Sequence, residues 1–121
     1  KKLGDLFCLL GPDPSENIHI IVRHTNEVLQ SFCSFYNRLD DKSTSLRCWS
    51  GHNLPENFQM DETPEGYICY EATIKGDSQP VVIPDISKTP YQDSDKQVVL
   101  YGLKSYLGYP VRCGGIVIGT V

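Results

Sequence analysis

The sequence predicts an α+β domain, an antiparallel sheet with helices packed on its faces. Three features predict it. Two segments with helical spacing precede any strand signal, and hairpin-like pairs of β-rich runs follow at either end of the remaining chain. Consecutive hairpins suit antiparallel pairing better than the repeated strand-helix-strand units of parallel sheets do. A chain of 121 residues closes one hydrophobic core and not two, so residues 1–121 are read as a single domain.

Lys2 to Leu10 forms a short helix with Leu3, Leu6, Phe7 and Leu10 on one side, stopped by Gly11 and the Pro12-Asp13-Pro14 turn. Ser15 is the expected N-cap of a second helix. It runs to about Gln30, with Ile18, Ile21, Val22, Thr25, Val28 and Leu29 at helical spacing. Phe32 to Leu39 is β-rich and ends in the Asp40-Asp41-Lys42 turn, with Thr44 to Trp49 as partner strand and Gly51 as its end. His52 to Pro64 loses periodicity and collects Asn, Pro and acidic residues, so it is a loop, and long loops on compact domains are often functional.

Glu65 to Lys75 is a short helix carrying Ile68, Ala72 and Ile74, stopped by Gly76. Pro80 to Ile86 is a compact apolar strand, Ser87 to Asp93 a second loop, and Ser94 to Tyr101 a helix closed by Gly102. Leu103 to Val111 and Ile116 to Val121 then make a terminal hairpin, whose Gly114-Gly115 pair supplies the positive φ angles of a tight turn. Leu103, Ser105, Leu107, Tyr109 and Val111 share one face of it, and Tyr106, Gly108 and Pro110 the other. The last strand stops at the last residue, and a further strand or helix is expected beyond it.

Composition narrows the function classes. With 40% hydrophobic and 21% charged residues and no long apolar run, no membrane contact is expected of this segment. A net charge of −4, with no basic cluster beyond Lys1-Lys2, argues against nucleic acid as a partner. Cys8, Cys33, Cys48, Cys69 and Cys113 are odd in number and never spaced as CxxC, so neither a disulfide framework nor a structural zinc is expected. Thiols of this kind, with no signal peptide ahead of them, place the chain in the cytoplasm.

The element order, the segment GYICYEATIKGDSQPVVIPDI (Gly66 to Ile86) and the terminal YGLKSYLGYPVRCGGIVIGTV (Tyr101 to Val121) together resemble the GAF domain family. LGDLFCLLGPDPSENI and SFCSFYNRLDD narrow the resemblance to the GAF modules of bacterial sensor histidine kinases. The resemblance implies a PAS-related fold with a central antiparallel sheet of about five or six strands. It also implies a homodimer formed through terminal helices, and an output kinase domain elsewhere in the full-length chain of a two-component system. The domain itself is then a non-catalytic sensor, and the fold names no cofactor or ligand.

Individual residues sort the chemical possibilities. In bilin-binding relatives a cysteine near the region of Cys69 attaches the chromophore, but it is typically followed by histidine, and here Tyr70 follows. Free methionine-(R)-sulfoxide reductases, GAF-like enzymes, also use cysteine, and a Cys69 enzyme of this kind is the alternative function. The loop from Ser87 to Asp93 lacks that family's other cysteine. A structural dimerisation module without ligand is the third reading. His19 and His24 fall on the second helix and His52 in a loop, with no second haem ligand apparent. The ligand-site candidates for a small molecule are Phe35, Arg47, Trp49, Cys69, Asp85, Tyr91 and Tyr106, with no catalytic or metal residue named. Arg47 can pair an anion or a nearby aspartate, and Asp85 can meet a ligand or cap its own turn.

Overall fold

The computed structural model describes residues 2–40, 42, 45–58, 61–62, 66–75 and 79–121. The expected Asp40-Asp41-Lys42 turn, the Thr44 start of a strand, Glu65 and the Gly76 helix stop each fall wholly or partly outside them.

Helix α1 (Lys2–Leu9) leads into α2 (Pro14–Leu29). The N-cap of α2 is Asp13, not Ser15: its carboxylate accepts from the Ser15 N–H at 3.0 Å, and Pro14 takes the first helical position, where no N–H is needed. Gln30 closes the helix in the left-handed conformation. Strands β1 (Ser34–Leu39), β2 (Leu46–His52) and a short β3 (Asp61–Glu62) follow, so the predicted His52–Pro64 loop contains an edge strand. Next come α3 (Ile68–Lys75), β4 (Val81–Ile83), a 3₁₀ turn (Ile86–Lys88), α4 (Tyr91–Ser94) and α5 (Lys96–Tyr101). Strands β5 (Tyr106–Gly108), β6 (Pro110–Cys113) and β7 (Ile116–Thr120) complete the order.

The main sheet is antiparallel throughout, in the order β3-β2-β1-β7-β6, while β4 and β5 form a separate two-stranded ribbon. The strand predicted from Leu103 to Val111 is thus two strands in two ladders. The chain changes partner at Tyr109, whose N–H and C=O pair with Val121 at 2.7 and 3.0 Å. Face alternation survives the break: Gly108 and Pro110 are buried, Leu107 and Tyr109 exposed.

Helix α2 covers one face of the sheet. Val22 is buried there, its carbonyl accepts from Ser34 Oγ at 2.6 Å, and His19 Nδ1 meets Ser50 Oγ at 2.5 Å. The opposite face carries α3 against β7 and a core of Ile68, Ile86 and Val98, wrapped by Ile83, Tyr91, Leu103 and Tyr106. Burying three such aliphatic side chains stabilises the fold by several kcal/mol, at roughly 1.5–3 kcal/mol each. It also fixes the loop-bearing segments over the sheet.

Candidate functional site

Strand alternation turns Phe35 toward the face opposite α2, and there its ring meets Phe58 from the loop after β2, with centroids 5.3 Å apart at 52°. Phe58 in turn stacks on Tyr101 at the end of α5, at 5.6 Å and 21°. Three aromatic rings from a strand, a loop and a helix thus form one column. Tyr101 donates its hydroxyl hydrogen to the Asn57 carbonyl at 3.3 Å. The other end of the loop is tied to α2, where the Asn53 side-chain amide donates to Asn26 Oδ1 at 3.1 Å. Asn26 is itself buried and donates to the Ser31 carbonyl at 2.9 Å and to its hydroxyl at 3.0 Å. Asn53 and Asn57 both adopt left-handed backbone, with φ of 57° and 59°, a conformation asparagine tolerates better than most residues.

A set of hydrogen-bonded polar groups ties α3 to the segment from Tyr91 to α5. Glu71 Oε2 accepts from the Gly66 N–H at 2.8 Å, and Oε1 accepts from the Tyr91 hydroxyl at 2.6 Å. Burial, then the bond to and charge of Glu71, and lastly the charge of Asp95, push the Tyr91 phenol up to about 12. Asp95 joins two helix starts: Oδ2 accepts from the Ile68 N–H at 2.9 Å, and Oδ1 from Gln97 and Val98 at 2.9 and 3.3 Å. Its burial raises the carboxyl above the usual range despite those three donors. A Tyr91→Phe variant is expected to lose about 1 kcal/mol, the worth of one hydrogen bond. Alkaline difference spectra should show the phenol titrating near 12 missing from the variant.

The sequence-predicted residues do not all converge. Phe35, Tyr91 and Tyr106 lie on the loop-covered side, Tyr106 against the Ile68, Ile86 and Val98 core. Cys69 is buried in the first turn of α3, its carbonyl accepting from Thr73 Oγ1 at 2.7 Å. Asp85 is exposed, and its Oδ1 caps the 3₁₀ turn through the Ser87 N–H at 3.0 Å and hydroxyl at 2.5 Å. Arg47 and Trp49 stand on the α2 side. Trp49 packs edge-on against Tyr36 at 6.2 Å, Arg38 lies 5.3 Å over its ring, and Arg47 is the direct cross-strand partner of Arg38. Tyr36 also lines an apolar groove of about 170 Å³ with Ile18, Ile21, Val111 and Val121.

Phe58, Glu71 and Asp95 escaped the sequence reading. Asp95 carries a signal, an aspartate ahead of an apolar helical run, but the predicted helix starts at Ser94, two residues ahead of α5, and so encloses the cap. Phe58 had only its isolation as an aromatic in an Asn-Pro-rich loop. Among the described residues, no group of three His, Cys, Asp or Glu side chains is placed to hold a metal ion. Nor is any described helix long and apolar enough to cross a membrane.

The GAF domain family model matches residues 13–121. The chain belongs to the GAF domain family. The nlh2 GAF domain of A. aeolicus, in an inactive state, superposes with a TM-score of 0.74 at 16% identity, covering 98% of this chain and 74% of that one. Free methionine-R-sulfoxide reductase from Neisseria meningitidis gives 0.69 at 18% identity over 89% of this chain. This GAF domain spans only 60% of that reductase's length. A domain of a putative two-component sensor histidine kinase from Sinorhizobium meliloti gives 0.67 at 15%, covering 91% of this chain and 71% of that one. At such identities the likeness is one of fold. No curated protein sequence matches the chain.

Proposed function

We propose that this GAF domain is a cytoplasmic sensory module of a signal-transducing protein, a sensor histidine kinase, and that it takes a small molecule on the loop-covered face of its sheet. One observation carries the reading: aromatic rings from β1, the 53–58 loop and α5 converge on that face, on the side of the sheet that also holds the half-buried Glu71–Tyr91 hydrogen bond. A flat apolar surface over a few placed polar groups is the usual make-up of a small-molecule site. Phe35, Tyr91 and Tyr106 are its proposed lining, with Cys69 in the wall. On the other face, Ile21, Val28 and Leu29 leave α2 with exposed apolar surface, the proposed seam of a homodimer. Ligand binding then acts by population shift, changing how the helices pack and so the state of an attached kinase.

The test is thermal unfolding against a metabolite library. A true ligand at 100 times its Kd should add about 2.7 kcal/mol and raise the melting temperature by several degrees. No shift with any compound class leaves the ligand-free dimerisation module as the reading. The reductase alternative has less support. Cys69 is buried rather than partly exposed, and residues 87–93 contain no second cysteine. Turnover of free methionine sulfoxide that Cys69→Ser abolishes would reinstate it.

A further inference from the structure

We infer that Phe58 is a built-in occupant of the ligand site: its ring holds the slot between Phe35 and Tyr101 that a flat heteroaromatic ligand takes, and the loop carrying it reports the exchange to α2. The inference rests on the sensory reading of this face and names the ligand class and the moving part. The slot is defined by two fixed rings, Phe35 on a strand paired on both sides and Tyr101 in the last turn of α5. The middle ring alone comes from irregular backbone. Its near-parallel stack on Tyr101, at 5.6 Å and 21°, is the arrangement a planar ring system would reproduce.

The loop is held as a part that can exchange. It carries two asparagines in left-handed backbone, Asn53 and Asn57, which set its course away from the regular strand. Besides the ring stack, it meets α5 through the long 3.3 Å bond from the Tyr101 hydroxyl to the Asn57 carbonyl. Withdrawal of Phe58 with this carbonyl leaves the Tyr101 hydroxyl in reach of an acceptor on the ligand's edge. A ring nitrogen or carbonyl oxygen on the heteroaromatic fits that position.

The same short loop grips the opposite side of the sheet. Asn53 donates to Asn26 Oδ1, and Asn26 organises the end of α2 through Ser31, whose N–H returns a bond to the Asn26 carbonyl at 3.3 Å. Moving Phe58 out therefore pulls on the last turn of α2. That helix is the proposed dimer seam, so the exchange at the slot has a physical route to it.

The test uses indole and adenine as probes, titrated by NMR into the 121-residue chain. Phe58→Ala should bind at least one of them roughly tenfold more tightly than the unsubstituted protein, because no internal ring competes. Adding Tyr101→Leu to Phe58→Ala should remove the gain. Equal affinity with and without Phe58, or a folded Phe58→Ala that binds neither probe, overturns the inference. If Phe58→Ala does not fold, relaxation dispersion on residues 53–58 of the unsubstituted protein decides: exchange at these amides supports the inference and flat profiles overturn it. Amide exchange at residues 26–31 should rise when a probe binds or when Phe58 is removed, and unchanged exchange overturns the link to α2. The sensory reading fails separately. A metabolite that raises the melting temperature while leaving the rings of Phe35, Phe58 and Tyr101 unshifted keeps the sensor and overturns the exchange, whereas a library without any hit overturns the sensor.

Discussion

Replacing Asp95 by alanine is expected to lower the stability of the domain by about 2–4 kcal/mol. Loss of the α5 N-cap exposes two orphan N–H groups, at Gln97 and Val98, and a helix cap alone is worth about 1 kcal/mol. The Ile68 N–H, bonded at 2.9 Å in a buried setting, loses its acceptor as well, adding the desolvation cost of an unsatisfied donor. Both helices then lose the anchor that seats Ile68 and Val98 against Ile86. Asp95→Asn keeps an acceptor for α5 but sets an amide beside the Ile68 N–H, so its cost should fall between those of wild type and alanine. The pH dependence separates the charge from the cap. Burial raises the Asp95 carboxyl in the folded state, so the folded protein binds that proton more readily than the unfolded chain. The residue's stabilising contribution is therefore fullest below the unfolded value of about 3.9 and declines as pH rises through the raised folded value. Urea unfolding of wild type and Asp95→Asn from pH 3 to 7 measures this. The stability difference between them should shrink across that window, and a constant difference would mean that folding leaves the carboxyl's proton affinity unchanged.

The sequence carried much of this fold because its strongest signals are local. Helical spacing marks α2, β-rich runs mark β1 and β2, and Gly114-Gly115 marks the β6–β7 turn with φ of 58° and 82°. What it concealed depends on partners distant in the chain. Leu103 to Val111 looks like one strand because alternation persists through Tyr109, yet β5 is drawn to β4 and β6 to β7. Likewise Ser94 to Tyr101 looks like one helix, but Asp95 is extended, with φ −88° and ψ 109°, so that its carboxylate can cap α5. Ser15 looked like a cap until Pro14 showed where the first helical residue stands, one position after Asp13.

The site divided for a related reason. The face of Phe35 follows from simple alternation, and it reaches the loop side as expected. Trp49 does not join it, because the β1–β2 register slips between Tyr36 and Asn37: Tyr36 pairs with Ser50 and Asn37 with Cys48, which leaves Trp49 opposite neither. A bulge of this kind re-aims a side chain without any mark in a period-two pattern. Phe58 is harder still. Its position depends on two asparagines in left-handed backbone and on rings from β1 and α5, and none of these partners is adjacent in sequence.

Gly119→Ala should be among the most damaging single-methyl changes in the chain, costing about 3 kcal/mol or more. The two halves of the sheet, β3-β2-β1 and β7-β6, are joined by the rungs Asn37↔Thr120 and Arg38↔Gly119. A Cβ on Gly119 would overlap the carbonyl oxygen of Asn37, and it would also stand 3.2 Å from the Arg38 Cα. Both obstacles are backbone atoms held in a ladder, so no rotamer change relieves the overlap and the strands must part. Asn37 and Thr120 are each only 2% exposed, and the parting would expose both. A useful comparison is Gly102→Ala, where nothing lies within 4 Å and the penalty is confined to a φ of +63°, about 1 kcal/mol. Urea unfolding of both variants gives the ranking, and a Gly119→Ala midpoint equal to that of Gly102→Ala would show that β1 and β7 can separate at little cost. Function should follow stability in the same variant. Strand β1 carries Phe35 and β7 packs against α3, so separating them moves one wall of the aromatic slot away from the helix bearing Glu71 and Cys69. Ring-current shifts of Phe35 and Phe58 should move in Gly119→Ala while those of the Gly102→Ala protein stay near wild type.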